Sequence, residues 1–297
     1  MSEQNAGGPS KVRYEATDRP PQQLAAALGA QTVALIVAGI VLTPVIVLRT
    51  AGVADTFAAW TVFMALLISG VTTVLQGLGK WRIGAGYVLF MGTSGAYISV
   101  AVSAIDAGGM ALLMTLIVAS SLVQFPLAAN LGLLRRIITP AVGGTTIMLI
   151  AVTVMPIAFG LLDNVPKGAD VVRTGAPISA GVTLAVIIGA SIFSSGKLRL
   201  WSPLIGLAAG TAVAAPFGLL DLGPLRDAAW VGLPTWNWPG LDLSFGHAFW
   251  ALLPAFLIVT VVGAIETFGD GIAIQRVSWK RDRAVDFRAV QGAVSAD

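Results

Sequence analysis

Residues 243–265 have the sequence LSFGHAFWALLPAFLIVTVVGAI, which contains no Lys, Arg, Asp or Glu. A helix of about 20 residues crosses the ~30 Å hydrocarbon core of a membrane. Because no water is present there to hydrogen-bond the backbone, an uninterrupted apolar stretch of this length predicts a transmembrane α-helix. The stretch is continuously apolar rather than alternating, which argues against a membrane β-strand.

Seven further stretches without these charged residues precede it, at 24–48, 56–79, 83–105, 107–134, 137–162, 174–196 and 200–220. Of the 297 residues, 56% are hydrophobic and 11% are charged, whereas soluble domains carry roughly 25% charged residues. The sequence therefore predicts an all-α polytopic membrane protein whose surface faces lipid.

The distribution of Lys and Arg predicts the orientation of these helices. If the N-terminus lies inside and the spans alternate, the inside regions contain 14 of the 18 basic residues: Lys11, Arg13, Arg19, Lys80, Arg82, Arg135, Arg136, Lys197, Arg199, Arg276, Lys280, Arg281, Arg283 and Arg288. The outside regions contain Arg49, Lys167, Arg173 and Arg226. Cytoplasmic loops carry such an excess. We therefore predict a cytosolic tail at 1–22, a cytoplasmic N-terminus and a multi-pass location in the cell membrane.

The same alternation assigns three regions near the end of the chain. Residues 221–242 form a loop on the extracytoplasmic side, 243–279 the eighth helix and 280–297 a cytosolic segment. The loop contains Trp230 and Trp236, which favour interfacial anchoring; a lid over a ligand is the alternative.

The chain has no cysteine and a single histidine, His247. Disulfides, thiolate metal sites and cysteine nucleophiles are therefore excluded. A catalytic zinc, which usually takes three protein ligands, is disfavoured. These features indicate a protein that is not an enzyme and uses no metal or other cofactor. The net charge of +3 comes from basic residues beside the spans, so it does not indicate a nucleic-acid partner.

Two carboxylates, Glu266 and Asp270, follow the last apolar stretch directly. Trp250 and Trp279 are expected to mark the two interfaces, which places Glu266 near mid-membrane. A charge there costs about 2.5–3.5 kcal/mol and so favours contact with protein, water or substrate. The alternative is a helix that ends at Ile265, with both acids at the interface. Positions i and i+4 share a helical face, and two poorly hydrated carboxylates this close resist joint ionisation. One would then hold a proton and could couple the site to protons.

A second polar feature, GTSGAY at Gly92–Tyr97, lies inside the stretch 83–105. Glycine and hydroxyl residues at mid-span predict a broken helix, and the N–H groups at the start of a half-helix bind polar ligands. The alternative is a small-residue face for close helix packing. Gln31, in the first span, is either a ligand contact or an interhelical hydrogen bond. The candidate binding residues are Gln31, Thr93, Ser94, Gly95, Tyr97, Glu266 and Asp270.

These motifs resemble the nucleobase–ascorbate transporters, also called nucleobase–cation symporters or uracil/xanthine permeases. ETFGD at 266–270, followed by AIQRVS at 273–278, is similar to the eighth-helix signature of that family. GTS at 92–94 with Ala96 is similar to its third-helix motif. LGAQ at the first span and PAVGGT at the fifth also fit. The resemblance covers nearly all of residues 23–297.

The resemblance implies a fold of two inverted seven-helix repeats, of which residues 23–220 would be the first. It implies short paired strands in helices three and ten that cross at the site, so a short strand or broken helix is expected in span three. A nucleobase would bind between helices three, eight and ten. Glu266 would bind the base, Asp270 would support it, and Ser94 and Gly95 would supply backbone contacts.

Three features depart from the family pattern. The family often has His after the first-helix Gln, where this chain has Thr32, and Phe in the third-helix motif, where it has Gly95. The sequence stops at Asp297, before helices nine to fourteen and the tenth-helix signature that helps to set substrate choice. The resemblance therefore predicts a chain truncated after helix eight.

Together, these features predict secondary active import of a purine or pyrimidine base, coupled to H⁺ or Na⁺, in a lipid bilayer. The oligomeric state is open, with a homodimer among the alternatives. An anion transporter of the same fold is a second hypothesis, which the acidic Glu266 disfavours. A non-transporting membrane scaffold or fragment is a third.

Overall fold

A computed structural model describes residues 12–53, 55–80, 82–130, 140–163, 174–195, 197–220 and 234–297 apart from 282, with the single positions 172, 222, 223, 226 and 232. In these residues the chain is almost entirely helical, and five helices are long and apolar enough to cross a membrane. The prediction of an all-α membrane protein is confirmed at this level. The chain forms two compact units, one made of the residues up to Ala151 and from Thr235 onward, the other of Val152–Pro234.

In chain order the helices are α1 (Gln22–Thr50), α2 (Asp55–Leu78), α3 (Ile98–Ser121), α4 (Gln124–Ala129), α5 (Pro140–Asp163), α6 (Gly175–Phe193), α7 (Lys197–Leu200), α8 (Ser202–Ala214), α9 (His247–Val277) and α10 (Phe287–Ala296). Short 3₁₀ turns occur at Gly95–Tyr97 and Ala215–Phe217. Helix α5 begins in the first unit and ends in the second.

The third predicted span, 83–105, is split between two conformations. Residues 84–94 are not helical, and regular helix begins only after the turn at Gly95–Tyr97. The broken helix that the sequence predicts is therefore present. A short strand is not assigned in the described residues, where the β-bridge between Lys80 and Ile83 stands alone. A strand needs a hydrogen-bonded partner, and the family resemblance places that partner in helix ten.

Helix α3 continues past Asp106, where the sequence analysis separated spans three and four. The backbone leaves the helical region three residues later, at Gly109, with φ 77° and ψ −172°. Glycine adopts positive φ without the steric cost that a Cβ atom would bring. The boundary between the two helical parts of α3 therefore lies at the glycine and not at the charged residue.

Helix α9 runs without a break from His247 through Glu266 and Asp270 to Val277. The alternative in which it ends at Ile265 is therefore wrong. Buried residues along α9, such as Phe256 and Ala264, pack it within the first unit, where it contacts α3, α4 and α10.

Helix α10 lies inside the segment 280–297 that the sequence analysis assigned to the cytosol. Its residues Val290, Ala293 and Val294 are fully buried, and it packs against α2, α4 and α9. An apolar stripe with helical spacing accounts for this packing. The boundaries of the tail, repeat, loop and helix-eight regions in the membrane stay predictions.

The second unit is built on the pair α6 and α8, which pack closely. Gly206 and Gly210, one turn apart on α8, lie against Ser179, Thr183 and Ile187 of α6. Small residues of this spacing let two membrane helices approach until their backbones nearly touch. The predicted span 200–220 is represented by the 13 residues of α8 and the turn that follows it.

Candidate functional site

A cavity of about 370 Å³ lies in the first unit, between the non-helical segment and α9. One wall is formed by residues 89–94 and Tyr97, and the opposite wall by one face of α9. The other lining residues are Ile117 and Ser121 of α3, Gln124 of α4 and Asp297 after α10. The cavity therefore joins the two sequence features that were predicted independently to bind a ligand.

The α9 wall follows from helical spacing. Thr260, Gly263, Glu266, Thr267 and Asp270 all line the cavity, and residues three or four apart lie on one face of a helix. Thr267 is buried, whereas Glu266 is partly accessible and Asp270 is exposed in the isolated chain. The predicted sharing of a face by Glu266 and Asp270 is realised, and both carboxylates reach the same cavity.

The opposite wall is held by hydrogen bonds at Thr93 and Ser94. Thr93 Oγ1 donates to the carbonyl of Ile40 in α1, at 3.2 Å. Ser94 is extended, and its Oγ accepts the backbone N–H of Ala96 at 3.3 Å. This is the arrangement of a helix N-cap, so the broken span presents the start of a helix to the cavity.

A side-chain hydrogen bond links the two walls. The hydroxyl of Tyr97 lies 2.7 Å from Thr260 Oγ1 on α9. Thr260 Oγ1 also donates to its own-helix carbonyl at Phe256, at 3.0 Å. Since a threonine hydroxyl has one proton, Tyr97 is the donor to Thr260. The Tyr97 ring also lies 6.1 Å from the ring of Phe256.

The site thus combines carboxylate acceptors with amide, hydroxyl and backbone donors. Carboxylates accept hydrogen bonds, whereas amides and hydroxyls both donate and accept. The aromatic and aliphatic residues Phe90, Met91 and Ile117 contribute apolar surface. A small planar molecule with N–H and C=O groups on its edge matches this arrangement.

Comparison with known proteins identifies the family of this chain. Residues 23–297 match the Xan_ur_permease model, described as "Permease family". The chain belongs to this family. The predicted relationship to the nucleobase–ascorbate and uracil/xanthine permeases is thereby confirmed, and transport is the activity of the family's named members.

Three relatives of this permease-family chain illustrate the match. It is 26% identical over 78% of its length to the putative purine permease CPE0397 of Clostridium perfringens, covering 52% of that protein. It is 28% identical over 88% of its length to the nucleobase transporter PlUacP of Paenibacillus larvae, covering 59%. It is 26% identical over 91% of its length to the xanthine permease XanP of Escherichia coli, covering 60%. The chain thus spans little more than half the length of these relatives.

Two predicted site residues do not line the cavity. Gln31 lies on α1 and Gly95 begins the 3₁₀ turn, and neither is among the lining residues. A Cβ atom added at Gly95 would meet no heavy atom within 4 Å. The space beside Gly95 is therefore not filled by protein, and the backbone contact of Gly95 with a ligand stays a prediction.

Five polar lining residues were missed in the sequence: Ser121, Gln124, Thr260, Thr267 and Asp297. Gln124 Nε2 donates to Asp297 Oδ2 at 2.6 Å, which joins α4 to the end of α10. Gln124 could have been found as an amide inside an apolar stretch, because such residues seldom face lipid. Asp297 directly follows α10 and continues the helical spacing of Val290, Ala293 and Val294, so its location on the same side of the chain as the buried face was also detectable.

A second cavity, of about 240 Å³, lies on the other side of the same wall. It shares Thr93, Ser94, Tyr97 and Ile117 with the first cavity, and its other lining residues belong to α1, α2 and α3. Its lining is almost entirely apolar, including Val47, Leu113 and Met114 where α1 faces α3. The wall that bears the predicted third-helix motif thus borders both cavities.

Proposed function

We propose that this chain is the first repeat and the eighth helix of a secondary active importer of a purine or pyrimidine nucleobase. The observation that carries the proposal is the placement of Glu266, on α9, across one cavity from Thr93 and Ser94. The names of its relatives support the substrate class, since they include purine, xanthine and other nucleobase transporters.

The chemistry of the cavity fits such a substrate. The Glu266 carboxylate would accept a ring N–H of the base, and Asp270 would support it from the next turn of α9. The N–H groups near Ser94 and Gly95 would donate to an exocyclic carbonyl. Phe90 and Tyr97 would contact the ring face, and Gln31 would act from α1 only if the wall moved.

Several finer features belong to this proposal. The two-repeat architecture would place residues 23–220 in the first repeat and α9 at the start of the second. Transport would be coupled to H⁺ or Na⁺, in the cell membrane, with a cytoplasmic N-terminus and with a homodimer as a candidate assembly. The pair Glu266 and Asp270 is the natural site for a coupling proton, because both face one cavity.

An anion transporter of the same fold fits less well. The cavity is lined by Glu266, Asp270 and Asp297 and by no Lys or Arg in the part of the chain that the structure describes. An anion would meet like charges there without a compensating cation. The carboxylates instead favour a neutral ligand with N–H donors.

The test is substitution of Glu266 by Gln, in cells that express residues 1–297 joined to any coding sequence that follows them. Uptake of radiolabelled uracil and xanthine should fall at least about tenfold, because the strongest acceptor for a ring N–H is lost. Asp106→Asn is the matched control, since it removes a carboxylate from an exposed position of α3 outside the cavity. Wild-type uptake and pH dependence in Glu266→Gln would show that the site assignment is wrong.

A further inference from the structure

The wall of the cavity contains backbone that lies outside regular helix. Residues 84–94 are non-helical, yet they lie beside α2, a candidate membrane span. At membrane depth, backbone N–H and C=O groups outside a helix must find protein partners, because lipid offers none. These hydrogen-bond partners therefore determine the position of residues 84–94 in the cavity wall.

We propose that three side chains of α2, namely Ser69, Thr73 and Gln76, are positioning residues that set the place of this wall. They are here called the α2 polar stripe. Their spacing of four and three residues puts them on one face of the helix. The consequence for nucleobases rests on the proposed function; the positioning of the wall does not.

The first two residues of the stripe form hydrogen bonds with both backbone groups of Met91. Thr73 Oγ1 accepts the N–H of Met91 at 3.0 Å, and Ser69 Oγ donates a short hydrogen bond to the carbonyl of Met91. Met91 itself lines the cavity. These two hydroxyls thus act as a strand partner would, but from the side of a helix.

The end of the stripe joins three elements through one amide. Gln76 is fully buried. Its Oε1 accepts the N–H of Ala85 at 3.0 Å, and its Nε2 donates to the carbonyl of Ala293 in α10 at 2.9 Å. Its Nε2 also lies 3.3 Å from Met91 Sδ. Since Asp297 follows Ala293 by about one helical turn and lines the cavity, Gln76 aligns two cavity elements at once.

The stripe does not contact the ligand cavity directly. No residue of α2 lines the larger cavity among the residues that the structure describes. Thr72, next to Thr73, has a hydroxyl that bonds only to α2 itself, at the carbonyls of Ile68 and Ser69. Thr72 therefore provides a control of the same residue type on the same helix.

The experiment reads the wall directly by cysteine labelling, for which the absence of native cysteine provides a clean background. Leu89→Cys reports on the wall formed by the non-helical segment. Gly263→Cys reports on the opposite wall, which is formed by α9. Both positions line the cavity. Thr73→Val removes the acceptor for Met91 N–H with almost no change in shape. Thr73→Ser keeps that acceptor, and Thr72→Val is the control. The rate of maleimide labelling is measured on the purified 297-residue chain in detergent.

In Thr73→Val the labelling rate at Leu89→Cys should change by about fivefold or more, because a partly buried Met91 N–H left without an acceptor favours a different position of the wall. In the same variant, the labelling rate at Gly263→Cys should stay within about twofold of its rate without the Thr73 substitution. In Thr73→Ser and in Thr72→Val, the labelling rates at both reporters should also stay within about twofold. Ser69→Ala, which removes the donor to the Met91 carbonyl, should reproduce the effect if Thr73→Val does not fold. Unchanged labelling at Leu89→Cys in the folded variant, or an equal change at both reporters, overturns the proposal.

A second measurement separates this inference from the proposed function. Binding of labelled xanthine and uracil is measured on the same variants, in the same expressed chain that the uptake test uses. Weaker binding in Thr73→Val, with recovery in Thr73→Ser, supports both ideas. If the unsubstituted protein binds neither base, the nucleobase proposal fails, while the labelling rates still decide the positioning role.

Discussion

At Tyr97 one hydroxyl joins the two walls of the cavity. Its hydrogen bond to Thr260 crosses from the start of α3 to the middle of α9. We expect Tyr97→Phe and Thr260→Val each to lower the midpoint of thermal unfolding in detergent, and the double variant to lose less than the sum. The coupling energy should be about 0.5–1.5 kcal/mol, the usual contribution of one hydrogen bond. Strict additivity of the two effects would show that the contact contributes no stability.

At this same scale, charge was the strongest guide from sequence. Glu266 and Asp270 could be predicted because an acid inside an apolar stretch is costly. Thr260 and Thr267 could not be predicted in this way. A threonine hydroxyl can hydrogen-bond to a carbonyl of its own helix, so its presence in an apolar stretch does not indicate which residues it will contact. Gln76 lies in an apolar stretch too, but its role depends on Ala85 and Ala293. These partners are set by the fold and by no local pattern.

Helices α6 and α8 test how far close packing depends on glycine. A Cβ atom at Gly210 would overlap the hydroxyl of Thr183 and lie 3.1 Å from the carbonyl of Ser179, a backbone atom that cannot rotate away. We expect Gly210→Ala to destabilise the second unit by about 1–3 kcal/mol through overpacking. The measurement is thermal unfolding in detergent.

Gly189→Ala, on α6, is the matched control, because a Cβ atom there would meet nothing within 4 Å. It should leave the midpoint unchanged or raise it slightly, since alanine favours helix over glycine. An equal loss in both variants would mean that glycine contributes through helix propensity and not through the α6–α8 contact.

The elements themselves were predicted best where they are long and apolar. The first span, 24–48, lies within α1, and the stretch 56–79 corresponds to α2. Element boundaries were weaker where backbone conformation decides them, as at Gly109 in α3. The burial of α10 was not foreseen because its ten residues are too short for a membrane span, and only its apolar stripe marks the buried face.

At the scale of the whole molecule, family membership follows from residues 23–297, whereas the partition of the chain into repeats stays a prediction. The matched region covers 52–60% of the relatives' length, and the resemblance assigns a third wall of the site to their tenth helix. Sequence could therefore indicate the kind of site, but the walls described here are those that α3, α9 and their neighbours provide.

The orientation in the membrane is a property of the whole molecule. At one end of the first unit, contacts between distant segments agree with the orientation that the basic residues predict. The N–H of Ala16 donates to the carbonyl of Ser278 at 3.2 Å, and Glu15 accepts the N–H of Lys280. These contacts bring the segment before α1 to the end of α9, where several basic residues follow. Arg49, in contrast, is in the last turn of α1.

Since basic residues concentrate on the cytoplasmic side, we expect Lys80 inside and Arg49 outside. Lys80→Cys and Arg49→Cys should therefore react from opposite faces, because α2 crosses the membrane between these positions. In intact cells a membrane-impermeant maleimide should label Arg49→Cys and should reach Lys80→Cys only after permeabilisation. Each site serves as the control for the other, since both are exposed ends in a chain without native cysteine. The reverse order of labelling would invert the orientation, and labelling of both positions in intact cells would remove α2 as a membrane span.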